Sequence, residues 1–165
     1  MMWKESQWAK VVWTVLRVVL GYNWFTSGFA KVFGDGAPVW VGPKAGVAVS
    51  GFLNGALGKT GGPHPDVQMW YAWFVQHFAL PNAKVFSYLV ATGELLVGLA
   101  LLFGVLTTFA LFMSLLMNFN YMFAGSVSVN PYFIIAAIIL LWAGKNAYYW
   151  GADRWVLPML KRTCS

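Results

Sequence analysis

Apolar residues gather into four long stretches, at about 8–33, 84–103, 105–125 and 131–150. Each is close to the ~20 residues that a helix needs to cross a ~30 Å hydrocarbon layer. The second and third stretches meet at Phe103-Gly104-Val105 with no charged residue between them, which predicts a tight helical hairpin. The third and fourth are joined by the short run 125–130, and Pro131 suits the first turn of a helix, where its missing N–H costs nothing. The expected fold class is therefore an all-α integral membrane protein, a bundle of four transmembrane helices in a single domain, 1–165.

One connection is long, 34–83. Its first half is rich in Gly and Pro and includes a small-residue stretch at 45–57. Its second half changes character. Trp70, Trp73, Phe74 and His77 fall at i, i+3, i+4 and i+7, one face of a helix at about 66–80, with Asp66 as a candidate N-cap. A Trp-rich amphipathic helix beside membrane spans is expected to lie in the interface, as a shelf on the bundle.

Composition agrees with this reading. Hydrophobic residues make up 59% of the chain and charged residues 10%, against about 25% charged in soluble domains. The net charge of +6 comes from scattered basic residues beside apolar segments. That pattern suits lipid headgroups and topology signals, and nucleic acid is not expected as a partner. Lys4 and Lys10 precede or open the first stretch, and Arg154, Lys161 and Arg162 follow the last. This balance puts both termini in the cytoplasm of a prokaryotic plasma membrane, and the long connection outside. No cleavable leader is expected before the first stretch. The single Cys164 excludes an internal disulfide and dithiol chemistry.

Charge within hydrocarbon is costly and marks sites worth examining. Arg17 and Glu94 qualify. Counted inward from Trp8 and back from Phe103, each lies about 13 Å deep, so a mutual ion pair near the midplane is expected. Arg17, Gly21, Trp24, Gly28 and Lys31 share one stripe of the first helix, and its glycines allow a neighbouring helix close approach. A second polar layer is expected nearer the outside, from Asn23, Asn118 and Asn120, with Tyr121 on the stripe of Ser114 and Asn118. An architectural role for these groups, as interhelical glue, stands beside the functional one. His64 and His77 have no metal-ligand spacing, so neither metal nor haem is implied.

Three segments carry a resemblance. The first helix reads Arg17-Val-Val-Leu-Gly21-Tyr-Asn-Trp24-Phe-Thr-Ser27-Gly28-Phe-Ala-Lys31. The second contains Gly93-Glu94-Leu-Leu-Val-Gly98. The fourth exits through Gly144-Lys145-Asn146 and Gly151-Ala-Asp153-Arg154. Together they resemble the DoxX/DoxD family of small four-helix bacterial and archaeal membrane proteins. The long first connection is similar to the DoxD branch, which includes the membrane subunit of thiosulfate:quinone oxidoreductase.

That resemblance implies passage of electrons from thiosulfate or a related sulfur compound to membrane quinone, a diffusible co-substrate, with a separate DoxA-like or other redox subunit as partner. On this reading Glu94 and Arg17 are the candidate catalytic residues. Lys31, Asn23, Trp24, Asn118, Asn120, Tyr121, Trp70 and His77 are candidates for binding quinone or substrate. Membrane lipid is the surrounding partner, and a homo-oligomer is compatible with the chain. Two other readings stay open: a non-catalytic scaffold anchoring soluble redox or sulfur-metabolism enzymes, and a small anion transporter.

Overall fold

In the computed structural model the described residues, 6–156 and 159, form helices joined by turns, with no strand. Lys4, Lys161, Arg162 and Cys164 lie outside them. Four long helices form the bundle: α1 (Gln7–Val32), α5 (Ala83–Phe103), α6 (Thr107–Phe123) and α7 (Asn130–Ala143), the last continued by a 3₁₀ turn, Gly144–Tyr148. Three short helices fill the long connection: α2 (Ala37–Trp40), α3 (Val47–Leu57) and α4 (Met69–Phe74), which runs on into a π turn, Val75–Ala79.

Local chemistry sets the boundaries. The Ser6 hydroxyl accepts from the Ala9 amide at 3.1 Å and caps α1. Gly104, at φ 65°, ends α5 in the left-handed conformation that an L side chain rarely adopts. Pro131 occupies the first turn of α7. No side-chain cap starts α4. Gln68, not Asp66, precedes it, so the helix begins later than the Trp periodicity implied.

The bundle has two ends of different character. At one, the start of α1, the α5–α6 turn and the segment after α7 come together. The Lys10 ammonium sits 3.9 Å from the Tyr149 ring centre, and the Ala152 and Asp153 amides donate to the Phe103 and Gly104 carbonyls. At the other end, α2, α3 and α4 pack beside the α6–α7 turn around Val49, Leu53, Val67, Tyr71, Val75 and Ala124.

The tightest contact is between α1 and α5. A methyl group placed on Gly28 would lie 2.2 Å from the Leu95 nitrogen, and one on Gly98 would lie 2.2 Å from the Phe25 nitrogen. Gly21 meets Leu101 and Leu102 in the same way. Backbone therefore touches backbone, as small residues permit between membrane helices. By contrast α5 and α6, adjacent in sequence, meet less closely than α1 with α5 or α6 with α7.

The exterior is apolar. Val15, Val19, Leu96, Phe109, Phe112, Leu116, Ile135, Ile138 and Trp142 all point outward, while Arg17, Glu94, Asn118 and Asp153 are buried. This inverts the usual arrangement in water. By length and composition Ala83–Phe103 and Asn130–Tyr148 are suited to cross a membrane. By comparison α1 carries Lys10, Arg17 and Lys31, and α6 is only 17 residues long.

The glycine contacts give a direct test. Gly28→Ala or Gly98→Ala should destabilise the protein by about 3 kcal/mol, the upper range for overpacking, because backbone cannot yield. Gly93→Ala should be nearly neutral, since its methyl would find only the Met117 sulfur at 3.6 Å. Thermal unfolding of the three variants in detergent checks the ranking.

Candidate functional site

The α1–α5 register decides which charges meet. Gly21 faces Leu101 and Leu102, and Gly28 faces Glu94 and Leu95. Glu94 is thus level with Gly28, and Arg17 lies eleven residues earlier on α1, a rise of about 16 Å. The expected Arg17–Glu94 pair does not form. Counting inward from the ends of the apolar stretches placed the helices wrongly, because α1 extends more than two turns beyond the end of α5.

Arg17 instead binds backbone. Its Nε donates to the Ala147 carbonyl at 3.0 Å, and its terminal nitrogens donate to the carbonyls of Leu101, Leu102 at 3.2 Å and Trp150 at 3.4 Å. The Leu101 and Leu102 carbonyls belong to the last turn of α5, where helix geometry leaves acceptors without partners. A planar guanidinium suits such divergent acceptors better than an ammonium. Beside it, the buried Asp153 carboxylate accepts from the Leu106 and Thr107 amides at 2.6 and 2.7 Å, capping α6. Leu106 holds φ 48°, a strained value for leucine that this cap secures. Arg17 and Asp153 together clasp the α5–α6 turn to the segment after α7.

Glu94 sits at the centre of a separate cluster. One carboxylate oxygen accepts from the Lys31 ammonium and from Ser27 Oγ at 2.8 Å; the other accepts from the Tyr121 hydroxyl. Lys31 also donates to Ser27 Oγ at 2.7 Å and lies 5.0 Å from the Trp40 ring centre. Glu94 is 2% exposed and the Lys31 side chain 18%. The carboxylate is thus balanced by one cation and two hydroxyl donors, and the cluster is electrically neutral.

This cluster opens on a cavity of about 790 Å³, within the ~300–1,000 Å³ typical of small-molecule sites. The cavity occupies the gap between α5 and α6. At its polar end it meets Ser27, Lys31, Glu94, Asn120 and Tyr121; α3 and α4 cover that end through Phe52, Leu53, Tyr71 and Phe74. The cover is tied down. Ser87 Oγ donates to the Trp40 carbonyl at 2.6 Å, and the Tyr71 hydroxyl donates to the Asn120 carbonyl at 3.1 Å. Burial pushes the Tyr71 phenol up to about 12, so it stays a donor across the physiological range.

Of the residues singled out in the sequence, Glu94, Lys31, Tyr121 and Asn120 come together at the cavity. The others do not join them. Arg17 belongs to the clasp. Asn23 is exposed and donates to the Val19 carbonyl of its own helix. Trp24 packs on Phe133 with ring centres 6.1 Å apart. Asn118 is buried on another face of α6, so the three amides form no common layer. Trp70 and His77 lie on the exposed side of α4, His77 stacked on Trp73, while Tyr71, Ala72, Val75 and Ala79 face inward. Sequence reasoning gave no site role to Ser27, Trp40, Tyr71 or Asp153. Ser27 was legible as the residue four before Lys31, on the same helix face.

The Trp24 indole N–H, the Ser114 hydroxyl, the Asn118 side-chain amide and the Thr107 hydroxyl have no hydrogen-bond partner among the described residues. No cluster of metal-ligating side chains occurs among them either.

Fold and site define a small helical bundle with an apolar exterior and, among the described residues, two buried charged clusters, of which the one at Glu94 opens on a cavity. The DoxX family model matches residues 12–126, more than half of the chain. The chain belongs to the DoxX family of membrane proteins. No curated protein and no solved structure matches it.

The two charged clusters respond differently to substitution. Arg17→Lys leaves several helix-end carbonyls unpaired and should cost about 2 kcal/mol in thermal stability, while Arg17→Leu should cost about 3. Lys31→Met leaves Glu94 buried without its cation and should cost about 2 kcal/mol; the double variant Lys31→Met with Glu94→Gln should recover most of that. A double-mutant cycle by thermal unfolding checks the coupling, and additive losses would exclude it.

Proposed function

We propose that this protein is the membrane subunit of a quinone-linked oxidoreductase, with the Glu94 cluster as the place where quinone exchanges protons. The observation that supports this reading most is a buried carboxylate, hydrogen-bonded to Lys31 and Tyr121, at the polar end of a mostly apolar cavity. Reduction of a quinone to its quinol takes up two electrons and two protons. Glu94 has three proton-bearing groups around it, Ser27, Lys31 and Tyr121. A carboxylate within hydrogen-bond reach of such donors is suited to general acid–base work. Lys31 is more exposed than Glu94, 18% against 2%, so the cluster is reloaded through it.

In this reading α1, α5, α6 and α7 each cross the plasma membrane, with both termini in the cytoplasm and α2–α4 on the outer face. The positive charge before α1 and after α7 supports that orientation. The electron donor is thiosulfate or a related sulfur compound, as the likeness to the DoxD branch implies. A separate redox subunit handles that anion, because the Glu94 cluster has no spare positive charge to attract it. Arg17 is a structural residue here and takes no part in the chemistry.

The reading is tested in membranes of the native host, which supply the separate redox subunit, with the protein's gene deleted and then restored as wild type or variant, thiosulfate as donor and a decyl-tailed benzoquinone as acceptor. Glu94→Gln should lower quinone reduction by about 100-fold, the scale of general acid–base catalysis, at unchanged protein yield. Arg17→Lys should lose activity only in proportion to yield. Full activity in Glu94→Gln would remove the proton-exchange role, and absence of thiosulfate-dependent reduction in the unaltered protein would remove the redox reading.

A further inference from the structure

The cavity is longer than the polar cluster needs. It extends along α6 from Tyr121 down to Phe109, about 18 Å of helix rise, and along α5 from Phe86 to Val97. Only its upper end is polar. Beyond Glu94 the walls are Val97, Met113 and Met117. Its rims repeat at i, i+7 on both helices: Leu89 and Leu96 on α5, Phe109 and Leu116 on α6. All four rim residues are exposed on the apolar exterior. The gap therefore opens sideways, onto the surface that faces lipid.

The reason for the gap is visible in the fold. The Arg17–Asp153 clasp holds the start of α6 to the end of α5. Among the described residues one side-chain hydrogen bond, from Tyr121 in the last turn of α6 to Glu94 in mid-α5, crosses between the two helices. Beside that bond Gly93 leaves no side chain opposite Met117.

We propose that this cleft binds the single hydrocarbon tail of a membrane amphiphile, which reaches the site sideways from the bilayer and places an uncharged, hydrogen-bonding head at Glu94 and Tyr121. The polarity of the cavity matches such a molecule end to end. Charge balance sets the head: Lys31 is already satisfied by Glu94, so an anionic head gains no free cation and a cationic one no free carboxylate. The cover formed by α3 and α4 closes the polar end, which leaves the lipid side as the route in. The identity of the head as a quinone rests on the redox reading; the tail site does not.

The test is photolabelling in lipid nanodiscs with a benzoquinone whose alkyl tail ends in a diazirine. The label is expected on residues of α5 and α6 around 96–97 and 109–116. Excess decyl-tailed benzoquinone should suppress it, and neither tail-less benzoquinone nor thiosulfate should. Met113→Trp, which fills the cleft without touching Glu94, should cut labelling by about tenfold, the ratio that overpacking of about 1.4 kcal/mol produces. Label spread over the outer faces, at Ile135 and Ile138 for example, would overturn the proposal. So would equal suppression by the tail-less competitor. The wild-type label map decides even if Met113→Trp fails to fold. A seated tail without quinone reduction would remove the redox reading alone; quinone reduction with the label elsewhere would remove the tail site alone.

Discussion

The backbone contact between α1 and α5 at Gly21, Gly28 and Gly98 is the constraint from which the rest of the arrangement follows. In lipid there is little hydrophobic gain in pressing two helices together, so close packing has to supply the attraction. Glycines permit that packing in one register only. Sliding α5 by one turn would set larger side chains against the facing backbone. The register in turn puts Lys31 beside Glu94 and brings Arg17 to the end of α5. Two charges that would be intolerable alone in hydrocarbon are each supplied with partners by the same contact.

The two clusters divide the work. Arg17 and Asp153 satisfy helix-end groups at the α5–α6 turn, where backbone donors and acceptors have no intrahelical partner. Their role is to fix chain direction. The Lys31–Glu94–Tyr121 cluster satisfies no backbone and closes no turn. It lines a cavity, and its removal would leave the helix ends intact. A buried ionic group that serves no terminus and faces open space is the stronger candidate for function.

The apolar stretches made the long helices legible, since a period of 3.6 and a length near a bilayer's thickness are properties of the chain itself. The Trp-rich helix was legible too, but not which face it buries: Trp70, Trp73 and His77 look outward, and the inward face is made by Tyr71 and small residues. Individual site residues were legible as costly groups in apolar surroundings. Their pairing was not, because depth was counted from the ends of apolar stretches and those ends are not level. The glycines carried the missing information. Matching Gly21 and Gly28 against Gly98 would have placed Lys31, and not Arg17, opposite Glu94. Asp153 remained hidden because its function depends on a turn 46 residues away, and sequence spacing says nothing of that approach.

A neutral cluster constrains chemistry more than a charged one. An anion carrier needs a cation free to trade partners, and Lys31 is held by Glu94 and Ser27. Freeing it would strand a carboxylate that is 2% exposed, a change that hydrocarbon penalises heavily. The same pair asks little of an uncharged guest, which can exchange hydrogen bonds with Tyr121 or Asn120 while the ion pair stays closed. The geometry therefore favours a ligand that arrives without charge over one that arrives as an ion.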